Sequence, residues 1–370
     1  QRKKTTYEGH ESQETAICYA TSKDGISWKK PSLGLVEFEK NLDNNLISRG
    51  PHGTGVFKDS HAEKTSRQYK SICQGLNTSF SHDGLTWSEP RFISRNKIAG
   101  DTHNNALWAP TLGKYVGFTR TWGKTDRRLV GPETKTNHAW GRQVARIESA
   151  DFCHWSKSEV VIDCKKWEHQ PYAMPVFFHA NTYIGLLAIH DQISDRVWTE
   201  LAWSPDTKNW HGINEGLPLI DSCPNPLGYD FGCIYACASP IFLEDEIRVY
   251  YGGSDWLHTG WRNGCLALAT LRPDGFAGYE QINANELGRI RTNALDYKGQ
   301  AVKISADVSK NGWIKASLID NTHSVISSVQ ISKTSTDTNL FDRQVIDEDT
   351  VRIEFEFNAA KLYSFAFSSE

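Results

Sequence analysis

The chain has 370 residues, with 41 basic and 44 acidic side chains, a formal net charge of −3, 39% hydrophobic content and 11% aromatic content. That balance supplies no basic field to draw a nucleic-acid polyanion, and no apolar run approaches the ~20 residues of a membrane-spanning helix. Its 13 tryptophans and single methionine, Met174, suit an all-β protein that packs most of its indoles on sheets and can stack others on the C–H faces of sugars.

In chain order, Thr5 to Glu8 and Ala16 to Thr21 alternate as strands and run into Ser22-Lys23-Asp24-Gly25-Ile26-Ser27-Trp28; Pro31 to Leu35 then ends the unit. The same phrase (serine, one residue, aspartate, three residues, tryptophan) returns at Ser81–Trp87, Ser149–Trp155 and Ser204–Trp210. A weaker copy, Arg272-Pro273-Asp274-Gly275-Phe276-Ala277-Gly278-Tyr279, has tyrosine in the tryptophan slot. Self-similarity at about 60 residues marks a repeat, and one unit has the size of a propeller blade. An aspartate or serine side chain can accept backbone N–H bonds two residues on, and Gly25 and Gly84 tolerate a positive φ, so these aspartates are read as turn formers.

After a polar loop at Asn41 to Gly53, the second unit offers strands at Gly55–Asp59 and Tyr69–Cys73 before its turn phrase. The third has Ala106–Pro110, Tyr115–Arg120 and Arg142–Ile147; the fourth has Tyr172–Phe178, Tyr183–Ile189 and Trp198–Trp203. The fifth has Cys233–Phe242, Ile247–Tyr251 and Cys265–Leu271. Units two to five each open with a strand that precedes the hairpin, whereas the first begins at its second strand. The missing strand must come from upstream of Gln1 or from a later segment, because an open ring leaves exposed sheet edges.

From Asn285 the turn phrase is gone and the strands at Val302–Ala306, Ile314–Leu318, Val325–Ile331, Val351–Phe357 and Leu362–Phe367 alternate strictly, the pattern of an antiparallel sandwich. The expected fold is therefore all-β: a five-bladed β-propeller over residues 1–284 followed by a β-sandwich over 285–370. The eight cysteines form no CxxC pair. Cys153 with Cys164 and Cys223 with Cys233 are possible bridges, and free thiols in strands are the alternative. A chain that opens on Gln1 rather than methionine is compatible with a removed leader, and a secreted or periplasmic location is the expectation.

In a propeller the entrances of the innermost strands surround an axial funnel. Here they carry Arg49-Gly50-Pro51-His52, Asp101-Thr102-His103-Asn104-Asn105, Glu168-His169-Gln170-Pro171-Tyr172 and Tyr229-Asp230-Phe231-Gly232. Asp101, Glu168 and Asp230 thus share one register in successive units. Glycoside cleavage needs a protonated acid at the leaving oxygen and a second carboxylate as base or nucleophile, while a third can raise the acid's pKa. Candidate substrate contacts are Arg49, Arg120 and Arg142 for hydroxyls, a carboxylate or a sulfate, with His52, His103, His169, Tyr251 and His258 around the funnel and Trp256 for stacking. Nothing in the spacing of His52, His103, His169 and His258 demands a metal, and no cofactor is expected.

Four stretches together resemble the five-bladed propeller glycoside hydrolases: Tyr19–Gly25 followed by Leu33–Glu37, the Asn44-Asn45 pair, the turn phrases, and Arg272–Phe276 ahead of an alternating module. That superfamily includes glycoside hydrolase families 32, 43 and 117. The resemblance implies an acid on each of three blades, falling here on Asp101 and Glu168, with Asp230 as the third. The Asn-Asp-Pro-Asn-Gly, Arg-Asp-Pro and Glu-Cys signatures of family 32 are absent, so fructan cleavage is not implied. The turn phrase also resembles the Asp box of sialidases, whose six blades do not match the repeat count. The expectation is an exo-acting glycoside hydrolase on plant or algal polysaccharide-derived oligosaccharides, with Glu168 as acid, Asp101 as tuning or orienting carboxylate and Asp230 as base or nucleophile. A non-catalytic carbohydrate-binding propeller and a glycoside phosphorylase, its phosphate held by Arg120 and Arg142, are the alternatives.

Overall fold

The computed structural model describes residues 15–50, 52–93, 100–101, 103–128, 138–164, 166–260, 262–343 and 349–368. The strand expected at Thr5 to Glu8 lies outside them. Among the described residues the regular structure is β-strand throughout, apart from a 3-10 turn at Thr65–Arg67, so the protein is all-β. It divides into two compact units, Gln1–Pro240 with Val249–Ala269, and Ile241–Arg248 with Thr270–Glu370. Residues 270–284, grouped by sequence with the first module, belong to the second.

In the first unit, Gly55–Lys58, Tyr69–Cys73, Asn77–Ser81 and Arg91–Phe92 form one four-stranded antiparallel sheet. Asn105–Ala109, Lys114–Arg128, His138–Ser149 and Glu159–Ile162 form another. His169–Ala173 and Val176–His179 share the partner Thr182–Asp191, which pairs with Arg196–Ser204 and through it with His211–Ile213. A single parallel bridge, Val197 to Cys233, joins that group to Cys233–Ala236, which pairs with Ile247–Ser254. Leu46–Arg49, read from sequence as part of a loop, lies antiparallel to Ala16–Cys18 with Ala16 opposite Arg49. Tyr250 Oη donates to the Gly25 carbonyl at 2.8 Å and Trp28 meets the Tyr250 ring edge-on, so the first and last sheets of this unit touch.

The turn phrase works as its chemistry requires. Asp83 Oδ1 accepts the backbone N–H groups of Leu85 and Thr86 at 2.9 and 2.8 Å, Ser81 Oγ accepts that of Gly84, and Trp87 Nε1 donates to the Gly84 carbonyl. Asp24, Asp151 and Asp206 repeat the double acceptance. The Thr86 and Leu85 N–H groups hold the Asp83 carboxyl down at about 2. The fifth copy serves differently. In the second unit, Asp274 Oδ2 accepts the hydroxyls of Ser305 and Ser364, both at 2.8 Å.

Two of the indoles, Trp210 and Trp155, then pack on glycines of neighbouring strands. A Cβ on Gly185 would meet Met174 Sδ at 2.8 Å and Trp210 Cζ3 at 2.9 Å, and one on Gly117 would meet Ile147 Cγ1 at 3.0 Å and Trp155 Cζ3 at 3.2 Å. One core of the unit gathers Val116, Phe118, Met174, Val176 and Tyr183 with Trp210 at its edge; another gathers Ile72, Phe80, Tyr115, Phe152 and Trp155. All eight cysteines are free.

In the second unit the 19-residue strands Ala301–Ile319 and Thr350–Ser368 pair along most of their length, with a register shift between Val308 and Trp313. Val302, Ile304, Ile314, Ala316 and Leu318 from the first strand, and Val351, Ile353, Phe355 and Phe357 from the second, fill its core.

Gly185→Ala forces the Met174 and Trp210 side chains apart and is expected to cost about 1–3 kcal/mol, read from urea unfolding. The Asp83 carboxyl is depressed from its ordinary 3.8 to about 2, so its contribution is complete above the unfolded-state value and disappears as pH falls from about 4 to about 2. Asp83→Asn should flatten that stretch of the stability-versus-pH curve and leave neutral-pH secondary structure unchanged by circular dichroism.

Candidate functional site

Adjacent sheets of the first unit are tied by two asparagines. Asn104 Nδ2 donates to the carbonyls of Gly53 and Asp101 at 3.1 and 2.6 Å, and Asn105 Nδ2 donates to the Met174 carbonyl at 2.8 Å. Both side chains are buried, so these amide bonds fix the backbone at Asp101 against its neighbours. His103 itself holds a φ of +57°, in the left-handed region uncommon for a residue with a side chain.

Tyr172, buried on the strand His169–Ala173, is the hub around which the charged groups gather. The Arg120 guanidinium lies 4.2 Å from its ring centroid, donates through Nε to the Tyr172 carbonyl at 3.2 Å and pairs through Nη1 with Asp101 at 2.7 Å. Arg142 lies 5.1 Å from the same ring and donates through Nη1 to Gln170 Oε1 at 2.7 Å. The two arginines share one face because Trp122, two residues beyond Arg120, is the register partner of Arg142. On the other flank, His103 stacks on Tyr235 with centroids 4.8 Å apart, Tyr172 and Tyr235 are 5.4 Å apart, and His258 Nε2 lies 3.1 Å from Tyr172 Oη. His190 packs on His258 at 4.2 Å and its Nε2 lies 3.0 Å from Asp195 Oδ1.

This cluster holds its polar groups under strain of solvation. Of the six buried side-chain polar atoms without a hydrogen-bond partner among the described residues, four are here: His103 Nδ1, Arg142 Nε, Tyr235 Oη and His258 Nδ1. Such atoms are rare in a folded protein, and four together call for a partner, water or ligand, within the cluster. Burial, then the neighbouring Arg120, lowers the His103 pKa to about 4. Burial, then His190, Arg142 and Arg262, lowers that of His258 to about 3. Both imidazoles are neutral at pH 7. Burial and the adjacent Arg120 also push the Arg142 pKa down, the signature of two guanidiniums sharing one small space.

The expected residues divide into two groups. Asp101, His103, Arg120, Arg142 and His258 come together around Tyr172. Glu168 stands at the start of the same strand, half-buried, with its carbonyl accepting the Gln192 N–H at 2.8 Å. His169 is exposed and meets Trp198 edge-on. His52 adds to the positive field on His103. Arg49 donates to the Glu37 carbonyl at 3.2 Å, bracing a loop, and Trp256 is 39% exposed beside Phe231.

Asp230, expected as base or nucleophile, stands in a different setting. It is buried, one oxygen accepts the Cys223 N–H at 2.9 Å and the other the Tyr251 hydroxyl at 2.8 Å, so this carboxylate anchors the 223–230 loop to the strand Ile247–Ser254. Tyr251, expected at substrate, is its partner in that anchor. Sequence reading missed Gln170, Tyr172, His190, Asp195 and Tyr235 as site residues. The one available signal was His190, a histidine closing the apolar run Leu186–Ile189.

No family model and no curated protein matches the chain. Among solved structures its fold is similar to those of glycoside hydrolases. A BT0996 RGII complex is 16% identical with a TM-score of 0.48, over 69% of this chain and 78% of that one. A glycoside hydrolase family 43 arabinoxylan arabinofuranohydrolase from Bacillus subtilis, solved with cellotetraose, is 10% identical with a TM-score of 0.40, over 86% and 80%. A β-1,2-mannobiose phosphorylase from Listeria innocua is 16% identical with a TM-score of 0.36, over 55% and 50%.

Tyr251→Phe leaves the buried Asp230 carboxylate short of one donor and is expected to lower stability by about 1–3 kcal/mol in urea unfolding. An unchanged unfolding midpoint would show that the anchor contributes nothing.

Proposed function

We propose that the chain is a glycoside-active enzyme whose first unit is a five-bladed propeller and whose second is a β-sandwich, acting on a sugar that bears an anionic group. The observation that carries the reading is the guanidinium pair Arg120 and Arg142, packed on the one ring of Tyr172, with Asp101 as its ion-pair partner and the buried Arg142 Nε–H unpartnered. A carboxylate or sulfate placed there would satisfy that donor and the second positive charge at once. Contact between the first and last sheets of the unit, through Tyr250 and Gly25, supports a closed ring.

In this reading Glu168, half-buried at the entrance, is the acid that protonates the leaving oxygen. Asp101, kept close to Arg120, is the carboxylate that orients or activates the attacking group. Trp122, 40% exposed beside Arg142, offers a face for an adjoining sugar ring. Exo-action on oligosaccharides from plant or algal polysaccharides, outside the cytoplasm, completes the proposal. The same guanidinium pair also suits inorganic phosphate, which makes phosphorolysis the second reading.

The test is turnover on a panel of uronate-terminated and neutral oligosaccharides, with and without phosphate. Glu168→Gln is expected to lose at least ~100-fold in kcat with folding intact, the range of general acid catalysis. Arg142→Gln should raise KM ~10-fold or more for acidic substrates and leave neutral ones unchanged, as loss of a charge-assisted bond does. Full activity of Glu168→Gln would remove that residue from the mechanism, and turnover only in phosphate would establish phosphorolysis.

A further inference from the structure

We propose that His190, Asp195 and His258 form a binding site for a first-row divalent transition metal ion. The geometry of this trio is independent of the glycoside reading. His190 Nε2 lies 3.0 Å and His258 Nδ1 3.6 Å from Asp195 Oδ1, and one donor atom from each residue lies within 4.8 Å of the others. Tetrahedral ligands about 2.0–2.2 Å from an ion sit about 3.4 Å from one another, so the trio brackets the required spacing.

The lone pairs point to the same place. His258 Nε2 is engaged with Tyr172 Oη, and its other nitrogen, Nδ1, is buried without a hydrogen-bond partner while facing the Asp195 carboxylate. In the tautomer whose Nε2–H donates to Tyr172 Oη, Nδ1 carries the lone pair and faces the Asp195 carboxylate across 3.6 Å, an arrangement that a cation between them would stabilise. Each ligand also has an outer partner that would orient it, the arrangement metal sites need. The Gln192 amide lies 2.7 Å from His190 Nδ1; turned over, its carbonyl would accept the Nδ1–H and free Nε2 for the ion. Tyr172 holds His258, and the Thr259 N–H and hydroxyl hold Asp195 at 2.7 and 3.1 Å.

The backbone fixes the group from two sides. Asp195 closes the hairpin between Thr182–Asp191 and Arg196–Ser204 at a φ of +54°, and its carbonyl accepts the His258 N–H at 2.8 Å. Arg262 donates to the His258 carbonyl, bringing a second guanidinium besides Arg142 into the neighbourhood. With two imidazoles, one carboxylate and nearby positive charge, the set favours zinc, cobalt or nickel over calcium or magnesium, which need several anionic oxygens. Three protein ligands leave a position for a water or substrate oxygen.

Chelator-stripped full-length protein, alkylated with iodoacetamide to silence its free thiols, is titrated with cobalt(II) and followed by visible absorption; zinc(II) is followed by thermal melting. The expected result is one equivalent of cobalt with ligand-field bands, no sulfur-to-cobalt charge-transfer band, and a melting temperature that rises with zinc concentration. His258→Gln, which can still bond Tyr172, and Asp195→Asn should each abolish the bands and the shift, and Gln192→Ala should weaken binding about 10–100-fold. Folding of each variant is checked by circular dichroism. Binding that is absent, sulfur-dominated, or equal in wild type and a folded His258→Gln variant would overturn the proposal.

Discussion

A carboxylate that accepts two successive backbone N–H groups is the device on which the first unit depends. It closes a turn with no help from the core, and at Trp155 and Trp210 the indole four residues on lies over a glycine of the adjoining strand. Repeating that pairing sets the register of each sheet, because a one-residue slip would carry the ring to the wrong face. Register in turn decides which residue stands at the opposite end of each inner strand. Asp101, Glu168 and Asp230 are the acids that the repeat places in one expected register.

Equivalent position is not equivalent environment. Asp101 meets a guanidinium, Glu168 is half-exposed, and Asp230 is enclosed by a tyrosine hydroxyl and a backbone N–H. The charge balance near Tyr172 follows from that difference. One carboxylate faces two arginines that are desolvated together, and buried polar atoms there are left to wait for a partner. A protein core retains few such atoms, and each asks for a partner or a role.

Much of this is legible in the sequence and some is not, for physical reasons. The strands and the turn aspartates follow from periodicity and short-range hydrogen bonding, which are local, whereas Asp101, His103, Arg120, Arg142 and His258 are brought around Tyr172 by the fold. Leu46–Arg49 reads as loop because its four residues have no alternation to see; its identity as a strand comes from Ala16–Cys18, nearly thirty residues away. The enclosure of Asp230 is not visible in sequence, since a pattern of spacing cannot report that Tyr251 arrives from the next strand to take its second oxygen. His190 and Asp195 escape because their meaning depends on His258, brought alongside by the fold.

Met174 is the only methionine of the chain, and it is buried two residues from Tyr172, with its carbonyl bonded to Asn105 and its sulfur against Gly185 and Trp210. A single isotope-labelled methyl at that position would give one resonance, shifted by the ring current of the indole. In a protein of 370 residues that one signal reads out, free of assignment, the packing directly beneath the site.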